Sequence, residues 1–119
     1  MNIETTVVQW LNTGLEPQGI HASMSVPPDR PARFVTVERT GGGDEPHRSL
    51  PTLAIQIWAE DRLSASETAL NIVQPCLESM TELDPIAKID ILSIVHLPDP
   101  GPPEAERYQI TIQITAARQ

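Results

Sequence analysis

The sequence predicts an α+β fold: a largely antiparallel or mixed β-sheet of about five strands with two helices packed on it, in the order α-β-β-β-α-β-β. Three observations carry that prediction. Apolar residues recur at helical spacing in two segments, and they alternate with polar residues in others. Glycine- and proline-rich stretches separate strands in pairs, as hairpins require. At 119 residues, with no internal repeat, the chain reads as a single domain spanning 1–119.

The elements follow in order. In residues 3–13, Ile3, Val7, Trp10 and Leu11 fall on one helical face, Asn2 is placed to cap the first free amides, and Gly14 stands where a C-cap belongs. Ile20 to Val26 reads as a short strand, closed by the rigid turn Pro27-Pro28-Asp29-Arg30-Pro31. Arg33 to Thr40 is a stronger strand, with Val35 and Val37 on one face. Gly41-Gly42-Gly43-Asp44-Glu45-Pro46 is then expected to break the ladder, leaving 41–50 as the mobile tip of a hairpin. Its return strand, 52–60, places Leu53, Ile55, Ile57 and Ala59 together. Ser64 and Glu67 form a capping-box pattern ahead of a helix over 65–80. Pro75 predicts a kink or break near Gln74, because it removes one hydrogen bond and crowds the preceding turn.

Two strands remain. Ile89 to Leu97 loses its alternation at Ile91-Leu92 and Ile94-Val95, which implies either two buried faces or a bulge. Tyr108 to Ala116 alternates cleanly and leaves a neutral face of Gln109, Thr111, Gln113 and Thr115. The proline-rich stretch Pro98 to Pro103 is expected to join the pair as a stiff extended loop. Strand order is left open at this level.

Composition narrows the function classes. Sixteen acidic residues against eight basic ones give a formal charge of −8, and Lys88 is the sole lysine. Binding to a phosphate backbone needs clustered cations, so a specific nucleic-acid partner is not expected. One cysteine, Cys76, excludes an intramolecular disulfide and a cysteine-rich zinc site. Nothing resembles a signal peptide and no apolar run approaches a bilayer span, so an intracellular site of synthesis and no membrane partner are expected.

The search for chemistry yields little. His21, His47 and His96 match no ligand spacing, and no metal or cofactor is expected. Asp44, Glu45, His47 and Ser49 place acid, base and nucleophile in one loop, but a tip opened by three glycines is a poor scaffold for catalysis. Cys76 sits on the apolar side of the second helix and is expected to be buried. Glu60-Asp61 precedes that helix and suits its dipole better than a metal. No catalytic residue is assigned.

Several segments nevertheless carry a likeness. They are Pro31 to Gly43, reading Pro-Ala-Arg-Phe-Val-Thr-Val-Glu-Arg-Thr-Gly-Gly-Gly, the strand with Leu53, Ile55 and Trp58, and Ser64 to Leu70 heading a helix. The Leu97-Pro98-Asp99-Pro100 loop and Glu106 to Thr111 complete the set. In element order over nearly the whole chain, the sequence is similar to the tail terminator (tail-completion) proteins of long-tailed phages and prophages. That resemblance implies a structural subunit of the virion tail, assembled in the bacterial cytoplasm and not an enzyme. Its implied partners are copies of itself in a ring, commonly a hexamer, the tail tube protein, and the head–tail connector or neck protein. DNA would pass through the ring without specific binding.

A ring needs heterologous contacts, one patch meeting a different patch on the neighbour. The expected participants are the 41–50 loop, with Gly42, Asp44 and Glu45, and the strand edges near Arg39 and Arg107, with Glu60 and Asp61 as acidic partners across the boundary. Rival readings are a neck, completion or other minor tail protein, a small hydrolase with His47 in a pocket beside Ser49 or Asp44, and a peptide-binding module with a free strand edge.

Overall fold

A computed structural model describes residues 2–118. The chain runs through α1 (Ile3–Leu15), β1 (His21–Ser23), β2 (Phe34–Asp44), β3 (Arg48–Ala59), a composite second helix, β4 (Ile86–His96) and β5 (Glu106–Ala117). This is the expected α-β-β-β-α-β-β order, and the fold is α+β. The five strands form one sheet in the order β1-β2-β3-β5-β4. β1 pairs parallel to β2, and every other pair is antiparallel.

Asn2 caps α1 as expected, its side-chain oxygen accepting from the Thr5 amide at 3.2 Å. Gly14 is not the C-cap, because the helix continues to Leu15 and Gly19 takes the left-handed turn at φ 68°. Gly14 instead packs closely on the second helix, where a Cβ would stand 2.5 Å from Cys76 Sγ and the thiol would have to turn aside. Trp10 Nε1 donates to the Cys76 carbonyl at 2.8 Å, fastening the two helices at the same crossing.

The second helix consists of α2 (Arg62–Thr68), a π-helical segment Ala69–Val73, α3 (Gln74–Glu78) and a 3-10 turn Ser79–Glu82. It begins earlier than the capping-box pattern predicts. Asp61, not Ser64, is the N-cap, accepting from the Ser64 amide at 2.7 Å. Both side chains suit that role, and Asp61 reaches it first along the chain. The expected disturbance at Pro75 takes the form of the π segment, in which the Gln74 amide bonds five residues back to Ala69. Widening that turn draws the backbone away from the proline ring, so the helix continues where a sharp kink was one expectation. Ala65, Ala69, Val73, Leu77 and Met80 stay in line and buried.

The glycine run does not end β2. Gly41, Gly42 and Gly43 pair with Thr52, Pro51 and Leu50, and Asp44 pairs with Ser49. The expectation of a mobile 41–50 tip is therefore corrected: the true turn is confined to Glu45–His47. Glycine weakens a strand through entropy, yet it keeps both backbone hydrogen-bonding groups, and β3 supplies their partners. A register shift between Arg39 and Gly41 marks a bulge at Thr40. Gly42 has φ 88°, and a Cβ there would lie 2.0 Å from the Leu50 carbonyl oxygen.

The broken alternation in β4 also has a definite cause. Its register against β5 shifts between Ile86 and Lys88 and again between Ile91 and Ser93. Of the two explanations offered above, the bulge holds, since Leu92 and Val95 are exposed. Both helices cover one face of the sheet. Beneath them lie Val35, Val37, Leu53, Ile55, Ile57, Ile110, Ile112 and Ile114, all essentially solvent-free.

Candidate functional surface

β3 is the axis on which the candidate residues are distributed. Its twelve residues span roughly 40 Å at about 3.3 Å each, close to the 43 Å long dimension of the molecule. Four of the seven candidate residues lie towards its start and three at its end.

At the start, the far half of the β2–β3 hairpin forms an exposed arm beside the beginning of α1. Residues 38–44 are exposed along it. Arg39 shares the helix-side row with Val35 and Val37 but lies past the core. It reaches α1 and donates to Glu4 Oε1 at 2.9 Å. Gly42 forms the close crossing described above. Asp44 stands 4.0 Å from Arg118. Glu45 accepts from Arg48 at 2.6 Å, and that bond, more than the opposing effect of burial, holds its carboxyl below the usual range. The arm is braced by β5, with the Arg118 amide donating to the His47 carbonyl at 3.0 Å.

At the other end Trp58 organises the surface. Alternation along β3 points it away from the helices, yet it is buried, stacked on Phe34 with ring centroids 5.2 Å apart. The guanidinium of Arg107, its cross-strand partner, lies 4.9 Å from the ring centroid, and that of Arg30 lies 5.5 Å away. Arg107 also donates to the Leu97 carbonyl at 2.8 Å. Glu60 pairs with Arg33 at 3.1 Å, and the Arg33 hydrogen bond lowers its pKa. Asp61 is occupied as the α2 cap, and the Ser64 amide lowers its pKa. A cavity of about 420 Å³ opens here, lined by Arg30, Phe34, Trp58, Glu60, Glu104 and Glu106 among others.

The structure thus brings Arg39, Gly42, Asp44 and Glu45 together on the arm, and Glu60, Asp61 and Arg107 together at the far end. Arg39 and Arg107 are not adjacent, and each already has a partner within the chain.

Between the two ends lies the outer face of the sheet, free of helices. A hydrogen-bonded chain crosses it. Trp58 Nε1 donates to Thr36 Oγ1 at 3.1 Å, and Thr36 donates to Gln56 Oε1 at 2.7 Å. Gln56 Nε2 then donates to Gln109 Oε1 at 3.3 Å. The neutral row on β5 is the continuation of this network. Met24, Ser25 and Val26 line a depression beside it, because the connection from parallel β1 back to the start of β2 runs over this face.

The groups that suggested hydrolysis are split. Asp44 and Ser49 line a cavity of about 160 Å³ with Ile3, Arg39 and Arg118. His47 is exposed at the turn and does not line it. His21 is exposed at the opposite sheet edge, and His96 bonds Glu106 at 2.8 Å. Cys76 is half-buried beside Gly14, and burial raises its thiol pKa. Among the described residues, no three His, Cys, Asp or Glu side chains converge as metal ligands, and no helix is long and apolar enough to cross a membrane.

Sequence reasoning missed the Phe34–Trp58–Arg107 stack and the role of Asn12, whose side chain bonds both the amide and the carbonyl of Ala22. For the stack a signal existed, because β alternation sets Trp58 opposite to Leu53 and Ile57. For Asn12 there was none, since a polar residue on an exposed helix face carries no mark of its partner. Neither the protein-family models nor the curated proteins compared with this chain match it.

Proposed function

We propose that this chain is a tail-terminator-type structural subunit of a long-tailed phage or prophage. It would form a ring, hexameric in the proteins it resembles, that ends the tail tube and presents the surface for head joining. The tail tube protein and the head–tail connector or neck protein are its partners, and the virion tail is its place.

The observation that supports the reading best is the separation of the candidate contacts. A heterologous ring contact needs two different patches on each subunit, set far enough apart to meet neighbours on either side. The arm and the Trp58 end lie at opposite ends of β3 and differ in chemistry: one is an exposed hairpin, the other a walled depression with Glu60, Glu104 and Glu106. The firmness of the arm adds support, since an ordered hairpin loses less entropy on docking than a mobile loop. The sequence likeness supplies the biological setting. The acidic surface is compatible with DNA passing the ring without adhering.

The test is to mix the purified protein with polymerising tail-tube subunits from the same gene cluster and image the tube ends by electron microscopy. Rings capping one end of length-limited tubes are expected. Tubes that grow uncapped and unbound would transfer the assignment to a neck or completion protein.

A further inference from the structure

The two edges of the sheet are not equivalent. β1 offers only three residues, and Asn12 already occupies both backbone groups of Ala22 there. β4 offers eleven residues, Ile86–His96, and pairs on one side only, with β5. Its bulges divide it into two regular stretches, Lys88 to Ile91 and Ser93 to His96. Along this edge Ile89, Ile91 and Ile94 are only partly covered, while Leu92 is 55% and Val95 41% exposed. A long apolar edge of this kind is a template for another strand. The Asn12 bracket closes the opposite edge, so the sheet cannot continue head to tail from one copy into the next. What β4 fits is another β4.

We propose that β4 of a second copy fills this edge, antiparallel and related by a two-fold axis at Ile89, so that the sheet runs continuously through a dimer. The register comes from charge. A two-fold axis sets the central residue against its own copy, and the residues flanking it against each other. Of the two regular stretches, Lys88 to Ile91 carries the lysine and the aspartate, Lys88 and Asp90, both on the outer face of the sheet. Centring on Lys88 opposes lysine to lysine, and centring on Asp90 opposes aspartate to aspartate. Centring on Ile91 leaves both charges without an opposite partner. Centring on Ile89 sets Lys88 against Asp90 of the second copy, twice by symmetry, and covers the half-exposed Ile89 with its own copy. The contact closes at two subunits and uses neither the arm nor the Trp58 end, so it stands apart from the ring reading.

Sedimentation velocity of the full chain over a concentration series tests the proposal. The unmodified chain is expected to show a monomer–dimer equilibrium. Lys88→Asp and Asp90→Lys each oppose like charges at both symmetric positions and should raise the dimer dissociation constant by roughly tenfold or more. Mixing the two variants should recover dimers, because the heterodimer opposes unlike charges at both positions. Each variant keeps its own repulsion between residues 88 and 90 within the chain, so that recovery cannot come from repaired folding. Monomers throughout the series, variants that dimerise like the unmodified chain, or a mixture that stays monomeric would each overturn the proposal. An extended peptide bound along β4 of a persistent monomer would overturn it as well, giving the edge to another occupant. Tube capping by Lys88→Asp would show that the ring reading survives whichever way the dimer test falls.

Discussion

The two faces of the sheet are built from the same strands and follow opposite rules. Towards the helices, Leu53, Ile55 and Ile57 of β3 meet Ile112, Ile110 and Tyr108 of β5 in register, and the aliphatic members are fully buried. On the outer face, one residue along, Ala54, Gln56 and Trp58 meet Thr111, Gln109 and Arg107. The inner face is held by dispersion and exclusion of water, which act without direction. The outer face is held by directed bonds, the Trp58–Thr36–Gln56–Gln109 chain and the cation–aromatic stack. A single sheet therefore gives the molecule one side specified by volume and another specified by hydrogen-bond geometry. The second side is the one open to partners.

The largest effect that would separate the faces is expected at Ile112. Truncating it to alanine removes a fully buried side chain and should cost about 3–4 kcal/mol in chemical denaturation. A much smaller loss would mean that the helices do not seal the inner face. A smaller but more specific effect is expected at Thr36, which is 4% exposed. Thr36→Val nearly preserves shape but deletes the hydroxyl that joins Trp58 to Gln56, leaving both groups short of a partner. A loss of about 1–3 kcal/mol follows, whereas Thr36→Ser should restore most of it. If valine were neutral, the outer face would be held by packing like the inner one, and the contrast would fail.

The contrast between faces was largely legible in the sequence. Strict alternation in Tyr108 to Ala116 states which residues go in and which stay out, because a strand has period two. Helix spacing did the same for Ile3, Val7 and Leu11, and for Ala69, Val73 and Leu77. What could not be read were features that depend on a partner distant in sequence. The 41–43 glycines look like a broken strand until β3 is known to lie beside them. Gly14 looks like a cap until Cys76 is placed against it. The candidate contacts suffered most. The charges of Arg39, Glu45, Glu60 and Arg107 were legible, but their engagement by Glu4, Arg48, Arg33 and Trp58 is a matter of tertiary placement.

The smallest expected effect bears on what the outer face is for. Gln113 continues the neutral row of β5 beyond the hydrogen-bonded chain, opposite Thr52 on one side and Asp90 on the other. Its side chain is only half-covered. Gln113→Ala should therefore change stability by less than about 0.5 kcal/mol, as is usual for surface positions away from caps, cavities and networks. A position that costs nothing to change in the isolated chain gives a clean readout in assembly. If stability is untouched while tube capping or self-association is lost, the outer face has been kept polar and uncharged for contact with a partner. If both are untouched, this part of the face is simply solvated, and the contacts must be carried by the arm, the Trp58 end and the β4 edge.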